Sequence, residues 1–207
     1  MGAAPQAVRR GRKFDQVLDG ARAVFMRDGF EGASVDDIAR EAGVSKATLY
    51  SYFPDKRLLF MEVAKSECRR QAEESAATID MNRPPNAVLT DAARRITAFM
   101  LSDFGMRVFR ICVAESDRFP ALGHEFYHSG PMVVREKIAA YLRLAMARGE
   151  LAIEDVDFAA EQFHELCRAD LHNRLLFGVT DCCAPGDVER TIRGAVEMFL
   201  ARYGVRG

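Results

Sequence analysis

Ser34-Val35-Asp36-Asp37-Ile38-Ala39-Arg40-Glu41-Ala42-Gly43-Val44-Ser45-Lys46-Ala47-Thr48-Leu49-Tyr50 is the stretch on which the reading of the fold turns. Ser34 followed three residues later by Asp37 is a capping-box variant, so a short helix opens at Val35. Its apolar positions, Val35, Ile38, Ala39 and Ala42, share one face at helical spacing. Gly43 can adopt the left-handed backbone that ends a helix, and Val44 plugs the turn. Ser45 then caps a second short helix through Tyr50. Two short helices joined by a glycine-containing turn are a helix-turn-helix unit. Leu49 and Phe53 hold the second helix to the core, while Ser45, Lys46, Ala47, Thr48 and Tyr50 make a small, polar outer face. Such a face lets a helix backbone sink into a major groove about 12 Å wide, with hydroxyls and a cation reaching phosphates and base edges. Lys56, on the first turn of the next helix, combines a cation with free amide donors, a ready phosphate site. The same pattern also fits an αα-corner inside a helical protein with no nucleic-acid role.

Outward from this stretch the helical period continues in both directions. Phe14, Val17, Leu18, Ala21 and Phe25 form one helical face that stops at Gly29, with Phe30 placed to pack back on the last turn. Phe53-Pro54-Asp55 breaks the chain again, and Asp55 is the N-cap of a long helix continuing towards Ile79. Asn82-Arg83-Pro84-Pro85 is the clearest linker. Beyond it the spacing predicts helices near 87–101, 106–116, 120–128, 131–147, 155–178 and 186–203, punctuated by Gly and Pro. No period-2 alternation bounded by hairpin turns is present, so the expected fold class is all-α.

Composition narrows the function classes. The chain has 207 residues, 49% apolar and 29% charged, enough to bury a sizeable core and too apolar for a disordered chain. A net charge of −1 excludes a protein that coats nucleic acid by bulk charge, although a local basic patch remains open. Residues 1–60 hold ten Lys/Arg against eight Asp/Glu, and the arm contributes Arg9, Arg10, Arg12 and Lys13. Residues 1–12 are read as a flexible basic arm, either a polyanion contact or a solvated tail. No stretch approaches the roughly 18 apolar residues of a membrane span, and Met1 to Lys13 lacks a signal-peptide h-region. The five cysteines, Cys68, Cys112, Cys167, Cys182 and Cys183, show no paired spacing and read as reduced thiols. The expectation is a soluble cytoplasmic protein with no membrane partner.

The segment Phe25-Met26-Arg27-Asp28-Gly29-Phe30, then Ser34-Val35-Asp36-Asp37-Ile38-Ala39 and Ala42-Gly43-Val44-Ser45-Lys46-Ala47-Thr48-Leu49-Tyr50-Ser51-Tyr52-Phe53-Pro54-Asp55-Lys56, resembles the TetR family of transcriptional regulators. The match covers roughly residues 13 to 60 without a gap. The later chain also resembles an AefR-type C-terminal domain through Asp117-Arg118-Phe119-Pro120, Phe126-Tyr127 and Gly130-Pro131. The resemblance implies a homodimer of all-helical subunits. Residues 13–60 would be a three-helix DNA-binding domain and residues 61–207 a helical ligand-binding and dimerisation domain. Carried over by position, Ser34, Ser45, Lys46, Ala47, Thr48, Tyr50, Tyr52 and Lys56 are the candidate contacts to double-stranded operator DNA. Tyr52 stands where many members have His, which puts its base preference in doubt.

Other constellations carry less. His124 and His128 have i, i+4 spacing that could bind a metal, but no third ligand lies in register, so no metal site is expected. No P-loop, GxSxG or Rossmann fingerprint is present, so no enzyme and no cofactor are expected. Cys182-Cys183 could act as a redox sensor, although buried small hydrophobes are the commoner use of Cys. The stripe Val188, Ile192, Ala195, Val196, Phe199 and Tyr203, with Phe163, Cys167 and Leu171 of the preceding helix, is ordinary core or, with the resemblance, the dimer seam of a four-helix bundle. Candidate pocket residues are Phe99, Met100, Phe104, Phe109, Cys112, Tyr141, Phe163, Leu166 and Phe177, with His164 and Arg168 as polar anchors. The favoured reading is a dimeric repressor released from its operator by a small hydrophobic or amphipathic molecule. The alternatives are a redox- or metal-responsive regulator on the same scaffold, or a helical interaction module without DNA binding.

Overall fold

Gly43 takes φ +62°, and the turn around it closes with Val44 N–H donating to Ala39 O at 3.0 Å and Gly43 N–H to Arg40 O at 3.1 Å. This pair of bonds is the Schellman closure, and it separates helix α2 (Val35–Glu41) from helix α3 (Lys46–Tyr52). A computed structural model describes residues 11–117 and 119–205, apart from the side chains of residues 68, 71–78 and 122. Of the expected basic arm, Arg9 and Arg10 lie outside the described residues, as do the Arg118 and Cys68 side chains. Among the described residues all regular structure is helical, with a single isolated bridge between Leu151 and Gly204.

The chain divides into two compact units, Met1–Glu67 and Cys68–Gly207. The first is built by α1 (Arg12–Gly32), α2, α3 and the N-terminal part of α4 (Lys56–Thr78). Helix α1 kinks at Gly29, whose φ of +70° suits a residue without Cβ. Phe14, Val17, Ala21, Val24 and Phe25 are buried against Ile38, Leu49, Phe53 and Phe60. Ring contacts tie the elements together: Phe14 to Phe53 at 5.3 Å, Phe25 to Phe60 at 5.0 Å and Phe30 to Phe60 at 5.1 Å. At Gly20 a Cβ would lie 2.6 Å from the Ala42 backbone nitrogen, so α1 meets the end of α2 backbone to backbone. Buried Glu67 accepts a 2.8 Å hydrogen bond from Arg22, fastening α4 to α1.

The second unit contains α5 (Pro85–Met100), α6 (Asp103–Glu115), α7 (Pro120–Ser129), α8 (Pro131–Ala147), α9 (Val156–Leu166), α10 (Leu171–Leu176) and α11 (Pro185–Tyr203). Helix α6 starts three residues earlier than its spacing predicts because Ser102 caps it, accepting from Gly105 N–H at 3.0 Å. The single helix expected over 155–178 is two. Asp170 adopts φ +65°, ψ −65°, and Leu171 N–H donates to Ala169 O at 2.8 Å, a γ-turn between α9 and α10. The turn re-aims the chain so that Leu171 and His172 are both buried, His172 edge-on to Phe109 of α6 at 4.9 Å.

The residues expected at the dimer seam are largely buried within the subunit. Phe163, Cys167, Leu171, Ile192, Ala195, Val196 and Phe199 are all at most 3% exposed within the single chain. Val188 and Tyr203 pack on the same cluster. Helix α11 lies against α5 and α9, and the buried part of its apolar stripe belongs to the unit's own core. Phe199 meets Phe163 at 5.2 Å and Tyr203 at 4.8 Å, and the Tyr203 hydroxyl donates to Gln162 at 2.6 Å.

Candidate functional site

Helix α3 presents its outer face as its sequence implies. Leu49 is buried, while Ser45, Lys46, Ala47 and Tyr50 are exposed and Thr48 is half-buried. The Ser45 hydroxyl caps the helix, accepting from Thr48 N–H at 3.1 Å, and the two hydroxyls lie 2.9 Å apart. Ser34 caps α2 in the same way, accepting from Asp37 N–H at 3.0 Å and donating to the Asp37 carboxylate. That hydrogen bond holds the Asp37 carboxyl below its usual pKa. Tyr52 is half-buried, its ring edge-on to Phe14 at 5.8 Å.

The two candidate cations do not stand free. The Lys46 ammonium pairs with Asp36 across the turn, both side chains exposed. Such a pair is worth little in water, and a phosphate can replace the carboxylate. Lys56 is held by the backbone of its own unit. Its ammonium donates to Phe30 O at 2.8 Å and to Ala33 O at 3.1 Å, and lies 4.4 Å from the Phe30 ring centroid. The geometry makes it a clamp on carbonyls at the end of α1. Lys56→Met should accordingly lower the stability of the N-terminal unit by about 1.5–3 kcal/mol, the usual worth of hydrogen bonds to a charged group. A thermal melt unchanged by the substitution would overturn the clamp.

In the second unit, α5 to α10 surround a cavity of about 520 Å³. This lies within the range of small-molecule sites. Phe99, Met100, Phe109, Cys112, Tyr141, His164 and Arg168 line it, as their sequence positions suggest. Four expected residues do not. Phe163 is in the core and Leu166 packs against that core. Phe104 lies beside Phe99, ring centroids 6.4 Å apart, but outside the wall. Phe177, after α10, is 76% exposed, because the γ-turn and short α10 carry it past the core. The sequence reading overlooked Arg95, Phe126, Val134, Lys137 and Ile138. Val134, Lys137, Ile138 and Tyr141 share one α8 face at i, i+3, i+4 and i+7, a signal visible in the sequence but hidden by its polar member.

Ile79 and Met81, immediately after α4, also line the cavity. The linker there is tied to α8: the Tyr141 hydroxyl donates to Arg83 O at 3.1 Å, and Arg148 donates to Met81 O at 3.1 Å. Burial pushes the Tyr141 hydroxyl above its ordinary pKa. His164 and His172 also line the cavity, and burial lowers the pKa of both. Both are therefore neutral at pH 7, and His172 Nδ1 can accept from Arg168 at 3.4 Å. In an NMR titration the midpoints of both rings should lie below 6.5, the usual histidine midpoint. Stability should fall as pH drops through the same window, since the unfolded imidazoles bind protons first. A midpoint at or above 6.5 for both rings would contradict the burial.

Thiol and metal chemistry can be located as well. Burial pushes the Cys167 thiol up to about 12, and burial together with neighbouring Cys182 raises Cys183. Raised values disfavour the reactive thiolate at these two positions. His124 and His128 do meet, Nε2 to Nε2 at 3.2 Å, with Met132 Sδ 2.9 Å from His128 Nδ1. No group of three His, Cys, Asp or Glu side chains converges among the described residues.

Residues 17–63 match the family model for bacterial regulatory proteins of the tetR family, and residues 87–205 match that for the C-terminal domain of AefR-like transcriptional repressors. The chain belongs to the TetR family. Its fold agrees with a TetR-family regulator from Mesorhizobium loti, with a TM-score of 0.80 and 29% identity over 96% of this chain and 100% of that one. The flavonoid-responsive regulator FrrA is 34% identical over 96% of this chain and 100% of its own, with a TM-score of 0.70. The transcriptional repressor AcnR of Corynebacterium efficiens is 36% identical over 58 residues, 28% of this chain and 31% of AcnR. The match to such curated repressors thus spans under a third of their length. Among the described residues no helix is long and apolar enough to cross a membrane.

Proposed function

We propose that this TetR-family chain is a homodimeric, cytoplasmic transcriptional repressor that holds its operator through α3 of each subunit and leaves it when a small molecule fills the cavity. The observation that carries the reading is the pairing of two features in one chain. An exposed polar α3 face sits on a capped helix-turn-helix unit, and a cavity of about 520 Å³ has Ile79 and Met81, next to the end of α4, in its wall. A ligand there touches the segment that continues α4, whose other end opens at Lys56. Because operator half-sites lie about 34–36 Å apart, a small change in the separation of two α3 helices is enough to lose simultaneous docking. By linkage, a ligand that prefers the free dimer weakens DNA binding by the same factor. FrrA is flavonoid-responsive, and the ring-lined cavity here makes a planar aromatic phenol the first ligand class to test. Neither catalysis nor a cofactor enters this reading.

The dimer face is assigned to the outer side of α11, where Gly194, Met198 and Ala201 follow i, i+4 and i+7. Met198 is 62% exposed, and a Cβ at Gly194 would meet nothing within 4 Å. Met198→Arg should give folded monomers by light scattering with an unaltered melt; a dimer of unchanged mass would move the interface elsewhere. The function itself is tested by an electrophoretic shift with DNA flanking the protein's own gene, followed by release with a flavonoid. Salt-sensitive binding to one segment in preference to a scrambled duplex is the expected result. Equal affinity for both duplexes would favour the interaction-module alternative.

A further inference from the structure

The wall of the cavity is not electrically neutral. Arg95 on α5, Arg135 and Lys137 on α8, and Arg168 in the turn after α9 line the cavity together with two carboxylates, Glu161 and Glu165. Arg135 is paired with Glu161 at 3.5 Å and Arg168 with Glu165 at 3.3 Å. Among the described residues Lys137, half-buried on the cavity face of α8, makes no ion pair. The two histidines of the wall add no charge at neutral pH, so Lys137 leaves the mainly apolar space with a cation that no carboxylate pairs among the described residues. An apolar cavity with uncompensated positive charge favours an anion, because a desolvated cation is costly without a counter-charge.

One of these cations is set for recognition. The Arg168 guanidinium lies 5.4 Å from the Phe109 ring centroid, and its Nη2 donates to the buried, neutral His172 at 3.4 Å. His172 is in turn edge-on to the same Phe109 ring. The fork is therefore fixed on three sides, by Phe109, His172 and Glu165, and retains further N–H donors. Glu165 is a weak competitor for it, since its side chain is 57% exposed and stays hydrated. Phe109 offers a face for an aromatic ring beside the guanidinium, and an arginine fork matches a carboxylate or sulfonate bidentately.

Building on the cavity reading above, we propose that the effector is an acidic amphipathic aromatic molecule whose anionic group is held by Arg168 while its ring lies along Phe109. Neutral aromatics of the same shape fill the cavity without using that anchor.

Two fluorescent probes with the same N-phenylnaphthylamine frame separate charge from shape: anionic 1-anilinonaphthalene-8-sulfonate and neutral N-phenyl-1-naphthylamine. Both are titrated into the full-length wild-type protein, Arg168→Gln and Val134→Trp, which fills the cavity. Arg168→Gln should weaken the sulfonate roughly tenfold or more, the worth of a hydrogen-bonded charge, and change the neutral probe less than about twofold. Retained binding of the neutral probe also reports an intact cavity in that variant. Val134→Trp should abolish both signals. If Arg168→Gln weakens both probes alike, or neither, the anion anchor is overturned while the cavity reading stands. If sulfonate binding survives Val134→Trp, the probe sits elsewhere and the anchor is overturned too. If neither probe binds the wild-type protein, the cavity reading fails and this proposal falls with it.

Discussion

Phe199→Asp should leave no folded C-terminal unit, and Phe199→Ala should lower its stability by about 3–5 kcal/mol. Phe199 is 1% exposed, with the Phe163 and Tyr203 rings at 5.2 and 4.8 Å. Truncation to Ala forfeits the transfer of a phenyl ring and leaves a cavity that close-packed neighbours refill only in part. Asp places a desolvated carboxylate in this aromatic cluster, a cost of several kcal/mol more. Domains have only about 5–15 kcal/mol to lose, so the Asp variant should be insoluble or molten. Urea denaturation followed by circular dichroism measures the first variant, and solubility with near-ultraviolet dichroism the second. A soluble Phe199→Asp monomer with a native melt would show that this face of α11 is a subunit seam after all. The contrast with Met198→Arg makes the pair informative, since the two positions are neighbours in sequence and opposite in exposure.

Tyr50→Ala should abolish specific operator binding while leaving the thermal midpoint nearly unchanged. Tyr50 is 48% exposed on α3, pointing away from the face that buries Leu49. Losing it removes little packing, because an exposed position away from caps and cores changes stability by about 0.5 kcal/mol at most. A base or phosphate contact is worth about 1–3 kcal/mol, and a dimer loses it twice, which amounts to roughly thirtyfold or more in affinity. Fluorescence anisotropy with the operator and a scrambled duplex reads the effect, and the preference between them should collapse. Unchanged preference would remove Tyr50 from the recognition surface. Thr48→Ala is less clean, because its hydroxyl lies 2.9 Å from the Ser45 hydroxyl that caps the helix.

Local signals determined much of this molecule. Ser34, Gly43 and Ser45 act within a few residues of themselves, through a side-chain cap, a positive φ and a second cap. For that reason α2, the turn and α3 were legible without any tertiary knowledge. The exposure of Ala47 and Tyr50 followed from the 3.6-residue period once Leu49 was placed inside. Three features were decided only by the folded chain. Whether the α11 stripe meets its own subunit or a second one depends on which helices lie opposite, and an apolar period is the same in both cases. The partner of the Lys56 ammonium is a pair of carbonyls 23 and 26 residues away, brought within reach by the Gly29 kink and the packing of Phe30. The break at Asp170 has no Gly or Pro to announce it, and it exists because Leu171 and His172 are both buried beyond the turn. Caps and turns are short-range and readable one element at a time, whereas the choice of packing partner is a property of the whole chain.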